Sequence, residues 1–287
     1  MERWPNFFIV GAPKAGTTSL YRYLNKIPQI YMSPYKEPTY FSPNYPRNVG
    51  LKVIQEKEEY LELFLNAKDA IVAGEASTSY LWDPETPQLI HEIVPHARII
   101  SILRDPVERA YSHYLMHVRN GLEKLSFHEA IEKNIQEHDP RSSSRYLEAG
   151  LYHLQIKRYV DIFSHNQVKI LIFEEFIQNP KSALEEVLKF IGINFELKDF
   201  EGEVHNPFAI ARGPVIQYIF GNIITRKIAK KLISPSRREF LREKILFKKL
   251  PKPRMNQEDK ETLIKFYRDD VEKLQTLLGR KLPWPNF

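Results

Sequence analysis

Short runs of consecutive apolar residues alternate along this chain with stretches in which apolar positions recur every three or four residues. Asn6 to Val10 (NFFIV), Asp69 to Gly74 (DAIVAG), Ala97 to Leu103 (ARIISIL) and Val168 to Phe173 (VKILIF) are the runs. Segments apolar on both faces fit strands buried in a parallel sheet. The spacing of Leu20, Tyr23, Leu24 and Ile27 predicts a helix over Thr17 to Lys26, and Gln88 to Val94 reads as a short second one. Asp105 followed by Pro106 is an N-cap with proline at the first helical position, so a helix should run from there to about Asn120 and stop at Gly121. Pro180 to Ile191 ends before Gly192 in the same way, and a last helix, Gln257 to Leu278, stops at Gly279. Strands and helices in alternation predict an α/β fold, a three-layer α/β/α arrangement around a central parallel sheet, with extra C-terminal helices.

Glu203 to Met255 breaks the pattern. It is rich in lysine and arginine and reads as two amphipathic helices and a basic loop. With 287 residues and no internal repeat, the expectation is one domain over 1–287, with 203–255 as part of a cover over the acceptor and donor sites.

Composition narrows the classes. Hydrophobic residues make up 43% and charged residues 27%, which excludes disordered and collagen-like chains. The absence of cysteine excludes disulfides, thiolate metal sites and cysteine nucleophiles, and fits a reducing compartment. No run approaches the ~20 apolar residues of a membrane span, and Met1 to Phe7 lacks the pattern of a signal peptide. A soluble cytoplasmic protein is the expectation. The net charge of +6 suits either an anionic small-molecule substrate or a nucleic acid. The 15 tyrosines and 17 phenylalanines are scattered through core-like segments rather than grouped for base stacking, which argues against nucleic acid.

The candidate chemistry begins where the first strand meets Gly11-Ala12-Pro13-Lys14-Ala15-Gly16-Thr17-Thr18-Ser19. A strand, a glycine-containing turn and a helix N-terminus make an anion site. The order differs from a Walker A loop, because Lys14 precedes Gly16. GAPKAGTTSL resembles the 5′-phosphosulfate loop of sulfotransferases that use 3′-phosphoadenosine 5′-phosphosulfate. Arg104-Asp105-Pro106-Val107-Glu108-Arg109-Ala110-Tyr111-Ser112 resembles that family's 3′-phosphate motif, RDPxxRxxS. The resemblance extends to Lys36-Glu37-Pro38-Thr39-Tyr40-Phe41, Gly150-Leu151-Tyr152 and Leu278-Gly279-Arg280 with Trp284, and is strongest to the heparan-sulfate-type and bacterial branch.

The resemblance implies a P-loop-like fold and transfer of a sulfuryl group from that donor to a hydroxyl or amine of a small-molecule, lipid or sugar acceptor. It places the donor on Lys14, Ala15, Gly16, Thr17, Thr18 and Ser19 at one end, and on Arg104 and Ser112 at the other. Lys252 and Arg254, in the basic loop before the last helix, are expected to close over the 3′-phosphate. Arg104 would sit at the carboxyl end of a central strand, and Ser112, about two helical turns past Asp105, returns to the same side. No metal is required, because a sulfuryl group carries less charge than a phosphoryl group and Lys14 can offset charge on the leaving oxygen. An alcohol acceptor must lose a proton, and Glu37 matches the family's carboxylate base. Glu75, after the second strand, matches another family glutamate, while His205 and His113 are reserve candidates. Two departures set limits: Ala76 stands where the glycan branch has lysine, and Thr39 where it has histidine. The competing readings are a P-loop kinase, which requires ATP and Mg²⁺, and a basic nucleic-acid-binding protein.

Overall fold

The computed structural model describes residues 2–46, 53–137, 145–198, 200, 202, 209–211, 247–249 and 252–287. Its centre is a parallel sheet of five strands: β1 Phe7–Gly11, β2 Ile30–Met32, β3 Val72–Ala76, β4 Arg98–Leu103 and β5 Val168–Ile172, in the spatial order β2-β3-β1-β4-β5. All four pairings are parallel. The α/β reading of the sequence is thereby met. The middle strands β1 and β3 are buried at every residue, as a sheet covered on both faces requires.

The helices are α1 Thr17–Leu24, α2 Lys57–Glu62, α3 Thr86–Ile93, α4 Pro106–Arg119, α5 Phe127–Glu137, α6 Tyr152–Ile162, α7 Phe173–Gln178, α8 Pro180–Phe190 and α9 Gln257–Leu278. From β1 the chain crosses outward over β3 to reach β2; from β3 it crosses back over β1 to reach β4. Right-handed crossovers in opposite directions put α1 and α3 on opposite faces. α1 packs with α8, while α3, α6 and α9 pack in sequence with one another. The chain leaves β1 toward one side of the sheet and β4 toward the other, so the carboxyl ends of these two neighbours form the crevice where open α/β sheets bind ligands.

Several boundaries differ from those read from sequence. β2 was not foreseen; three residues are too few to show a period, and the strand exists because Ile30 to Met32 pair with Val72 to Gly74. β3 begins at Val72 and runs on to Ala76, held by the pairing of Ile9 with Ala76, so Glu75 lies inside the strand rather than after it. Phe173 opens α7 instead of closing β5. In the basic region, Lys248 and Lys249 belong to a strand, β7 (Phe247–Lys249), which pairs antiparallel with β6 (Ala209–Ala211); the basic-loop expectation is corrected there, because long-range pairing overrides local composition. The two amphipathic helices expected between Glu203 and Met255 lie outside the described residues.

Close packing between β1 and β3 requires glycine at one position. A Cβ on Gly74 would stand 2.2 Å from Cζ and 2.4 Å from both Cε atoms of the fully buried Phe7 ring. Gly74→Ala should therefore cost about 1–3 kcal/mol, as overpacking of a core does. In urea unfolding, the cost should shrink in a Phe7→Leu background, a coupling expected of residues in contact.

Candidate active site

The N-terminus of α1 is built to receive an anion. Gly16 caps it at φ 89, offering no side chain to its first turn, and that turn holds no acidic residue. The first N–H groups of a helix have no intrahelical acceptor, and the dipole adds positive potential at this end. Gly16 is required twice over, because its φ is left-handed and a Cβ would lie 3.1 Å from the Phe173 ring. Lys14 also has a left-handed φ of 70, and its Nζ lies 3.6 Å from Met116 Sδ on α4.

Arg104 follows the end of β4, the strand next to β1. Its Nη1 donates to the Lys14 carbonyl at 3.1 Å, and its guanidinium lies 4.6 Å from the centre of the Phe173 ring. Burial lowers the Arg104 pKa, opposed by the charges of Glu108 and Glu174. The corner behind it is braced. Tyr152 Oη donates to the Arg104 carbonyl at 3.0 Å. Asp105 accepts from the N–H groups of Val107 (2.9 Å) and Glu108 (3.3 Å), as the sequence predicts for an N-cap. Asn286 near the chain's end donates to the second Asp105 oxygen at 2.7 Å, and Trp284 Nε1 donates to Glu174 at 3.0 Å. The family-like Trp284 is thus tied to the arginine corner.

Glu37 comes from the loop after β2 and has a left-handed φ of 64. Its N–H donates to the Ala76 carbonyl at 2.9 Å, prolonging the sheet by one bond. Its Oε2 accepts from Thr78 N–H at 2.8 Å and from Thr78 Oγ1 at 3.1 Å, while Oε1 accepts from Lys36 Nζ at 2.6 Å. One carboxylate oxygen is anchored by the turn after β3, and the other is held by a long flexible cation.

One cavity of about 580 Å³ joins these parts. Lys14, Gly16, Thr17, Thr18 and Ser19 line it from the loop, Arg104 and Ser112 from β4 and α4, and Glu37 from the other wall. The cations Lys14, Lys36, Arg104, Arg119 and Arg145 face it, and Glu37 is the one carboxylate in its lining among the described residues. His113 is also in the wall; burial pushes its pKa well down, helped by His117, Arg109 and Lys14, so the ring is neutral. Elsewhere in the lining, Arg145 lies 3.7 Å over the Trp82 ring, and Tyr45 stacks with the same indole.

Other expected site residues are placed differently. Ala15 is fully buried and its side chain does not line the cavity. Lys252 pairs with Glu108 at 2.6 Å and lies 5.0 Å from the Tyr111 ring centre. Arg254 is exposed, and it is its carbonyl that accepts from Tyr111 at 3.3 Å. His205 lies outside the described residues. Glu75 is not brought to the cavity: inside β3 it turns into the core, fully buried, where Tyr60 and Tyr80 each donate to Oε1 at 2.7 Å and Ser77 to Oε2 at 2.7 Å. Ser77 Oγ accepts from Thr39 N–H at 3.1 Å. Glu75 therefore supports the two segments that present Glu37. Sequence reasoning missed Thr78; the only signal was its place three residues after Glu75, which says nothing of a contact 41 positions away.

The family described as "Sulfotransferase domain" matches residues 5–277. The chain belongs to the sulfotransferase family. Among curated relatives, the chain is 29% identical to Carbohydrate sulfotransferase 15 of Homo sapiens over 245 residues, covering 66% of this chain and 44% of the relative. It is 31% identical to Bifunctional heparan sulfate N-deacetylase/N-sulfotransferase 3 of Homo sapiens over 210 residues, covering 67% of this chain and 23% of the relative. The chain thus spans less than half the length of these relatives. A solved sulfotransferase from Alicyclobacillus acidocaldarius superposes with a TM-score of 0.75 at 32% identity, over 98% of each chain. No described helix is long and apolar enough to cross a membrane.

The buried carboxyl of Glu75 gives a testable signature. Burial raises its pKa from 4.5 to about 7; the hydroxyls of Tyr80, Tyr60 and Ser77 act downward, and the charge of Glu37 adds to the rise. The folded state therefore holds this proton more tightly than the unfolded chain. The stability so gained is full below the unfolded value and lost as pH rises through about 7. Thermal unfolding between pH 5 and 8 should show a loss on the order of 2–3 kcal/mol in the wild type relative to Glu75→Gln, whose amide keeps both tyrosine contacts and donates to Ser77.

Proposed function

We propose that this chain is one sulfotransferase domain over 1–287 that moves a sulfuryl group from 3′-phosphoadenosine 5′-phosphosulfate to a hydroxyl or amine of a small-molecule, lipid or sugar acceptor. The observation that carries the reading is the single cavity in which an anion-binding helix terminus, Lys14, Arg104 and Ser112 face a held carboxylate, Glu37. A kinase reading has less support, since Lys14 precedes Gly16, whereas a Walker A loop has its lysine after the second glycine. A cytoplasmic setting belongs to the same proposal and rests on the cysteine-free composition.

In this mechanism the N–H groups at the start of α1 and the hydroxyls of Thr17, Thr18 and Ser19 hold the 5′-phosphosulfate. Arg104 and Ser112 hold the 3′-phosphate, and Lys252 joins them by exchanging Glu108 for it. The acceptor lies on the Glu37 side. Its oxygen or nitrogen attacks sulfur in line with the departing phosphate oxygen, Glu37 takes the proton through Oε1 as Lys36 swings away, and Lys14 balances the charge that grows on the leaving oxygen. Positioning and charge stabilisation do most of the work, as in phosphoryl transfer.

Two measurements test this. 3′-Phosphoadenosine 5′-phosphate at about 100 times its Kd should stabilise the protein by about 2.7 kcal/mol, and ATP by much less; equal thermal shifts would favour the kinase. Glu37→Gln keeps the shape of the side chain but removes the proton acceptor. Its kcat should fall by about 10²–10⁴-fold with nucleotide affinity nearly intact, whereas unimpaired turnover would move the base elsewhere.

A further inference from the structure

We propose that Met116 is an oxidation site through which a hydroperoxide switches off Lys14. The inference rests on the reading of Lys14 as a donor-binding and charge-balancing group. Lys14 Nζ lies 3.6 Å from Met116 Sδ, a long contact in which the thioether is a weak acceptor. Met116 is half-buried and lines the cavity, so a small hydroperoxide entering by the substrate route meets its sulfur. Met32 is 3% exposed within β2, out of reach by comparison. The chain has no cysteine, so sulfur oxidation in this protein falls on its four methionines alone.

The step balances simply. The hydroperoxide transfers one oxygen atom to Sδ, forming the S–O bond as its O–O bond breaks. The thioether is oxidised to the sulfoxide by two electrons, and the peroxide is reduced to water or the corresponding alcohol. The product carries a polar oxygen where an apolar sulfur stood. That oxygen is a strong acceptor within reach of Nζ, so the ammonium is held against α4 and withheld from the donor. Reduction by a methionine sulfoxide reductase reverses the lock.

The test uses the whole protein with hydrogen peroxide as the probe. Sulfoxide formation is followed by peptide mass, binding of 3′-phosphoadenosine 5′-phosphate by thermal shift, and turnover wherever an acceptor is in hand. Oxidation at Met116 is expected to weaken nucleotide binding by about 10-fold, near the value of one charge-assisted hydrogen bond, and to lower turnover by about 10²-fold, the scale of losing one transition-state donor. Bound nucleotide should shield Met116, and reductase should restore both readings. Met116→Leu, a volume-conserving change, should hold its own untreated values under peroxide, while Met255→Leu should fail like the wild type. Equal inactivation of Met116→Leu, or a sulfoxide at Met116 that leaves nucleotide binding unchanged, overturns the proposal. If the untreated protein fails to bind the nucleotide at all, it is the sulfotransferase reading of this cavity that falls.

Discussion

The site depends on β1 and β4 being neighbours. Their pairing brings the ends of two strands, 92 positions apart at Gly11 and Leu103, into one crevice, and the bond from Arg104 to the Lys14 carbonyl locks the two corners together. Phe173, the first residue of α7, completes the lock by packing against Gly16 and under Arg104. An arginine so stacked keeps its fork in one orientation, which favours a tetrahedral anion over a mobile counterion. The chain's end also contributes, because Asn286 and Trp284 hold the carboxylates that hold the arginine corner.

The opposite wall is organised from beneath. Glu75 is a carboxyl in the core, and such burial is costly unless hydrogen bonds offset it. Three hydroxyls do so, from α2 and from the turn after β3. The same turn supplies Thr78 to Glu37, and Ser77 to the backbone of Thr39. The left-handed backbone at Glu37 and Thr39 is kept by these bonds, and strained backbone of this kind persists only where its surroundings over-determine it. Glu37 is thus aimed by a network that reaches into the core without being part of it.

Charge divides the cavity. The α1 terminus, Lys14 and Arg104 bring positive charge to its lining, and Lys36, Arg119 and Arg145 add to it, with Glu37 as the one carboxylate there among the described residues. The contact of Lys14 with Met116 gives the same cavity a sulfur centre in a chain that lacks thiols.

Much of this was legible in the sequence. The short apolar runs, alternating with helical spacing, predicted a parallel sheet, because strands covered on both faces carry apolar residues in succession; Asp105-Pro106 determined where α4 begins, because capping is a local interaction. The loop and RDPxxRxxS motifs marked one end of the cavity in the sequence, since each is a contiguous segment, and residues of both line it. Tertiary structure decided the rest. It turned Glu75 into the core and left Glu37 at the cavity, although both are glutamates beside strands, because the length of β3 is set by pairing with β1. It paired Lys252 with Glu108, placed Lys249 opposite Ala209, and put Thr78 on Glu37. Contacts between residues tens of positions apart leave no period or motif in the sequence; they follow from which strands become neighbours, and that is settled only when the whole core packs.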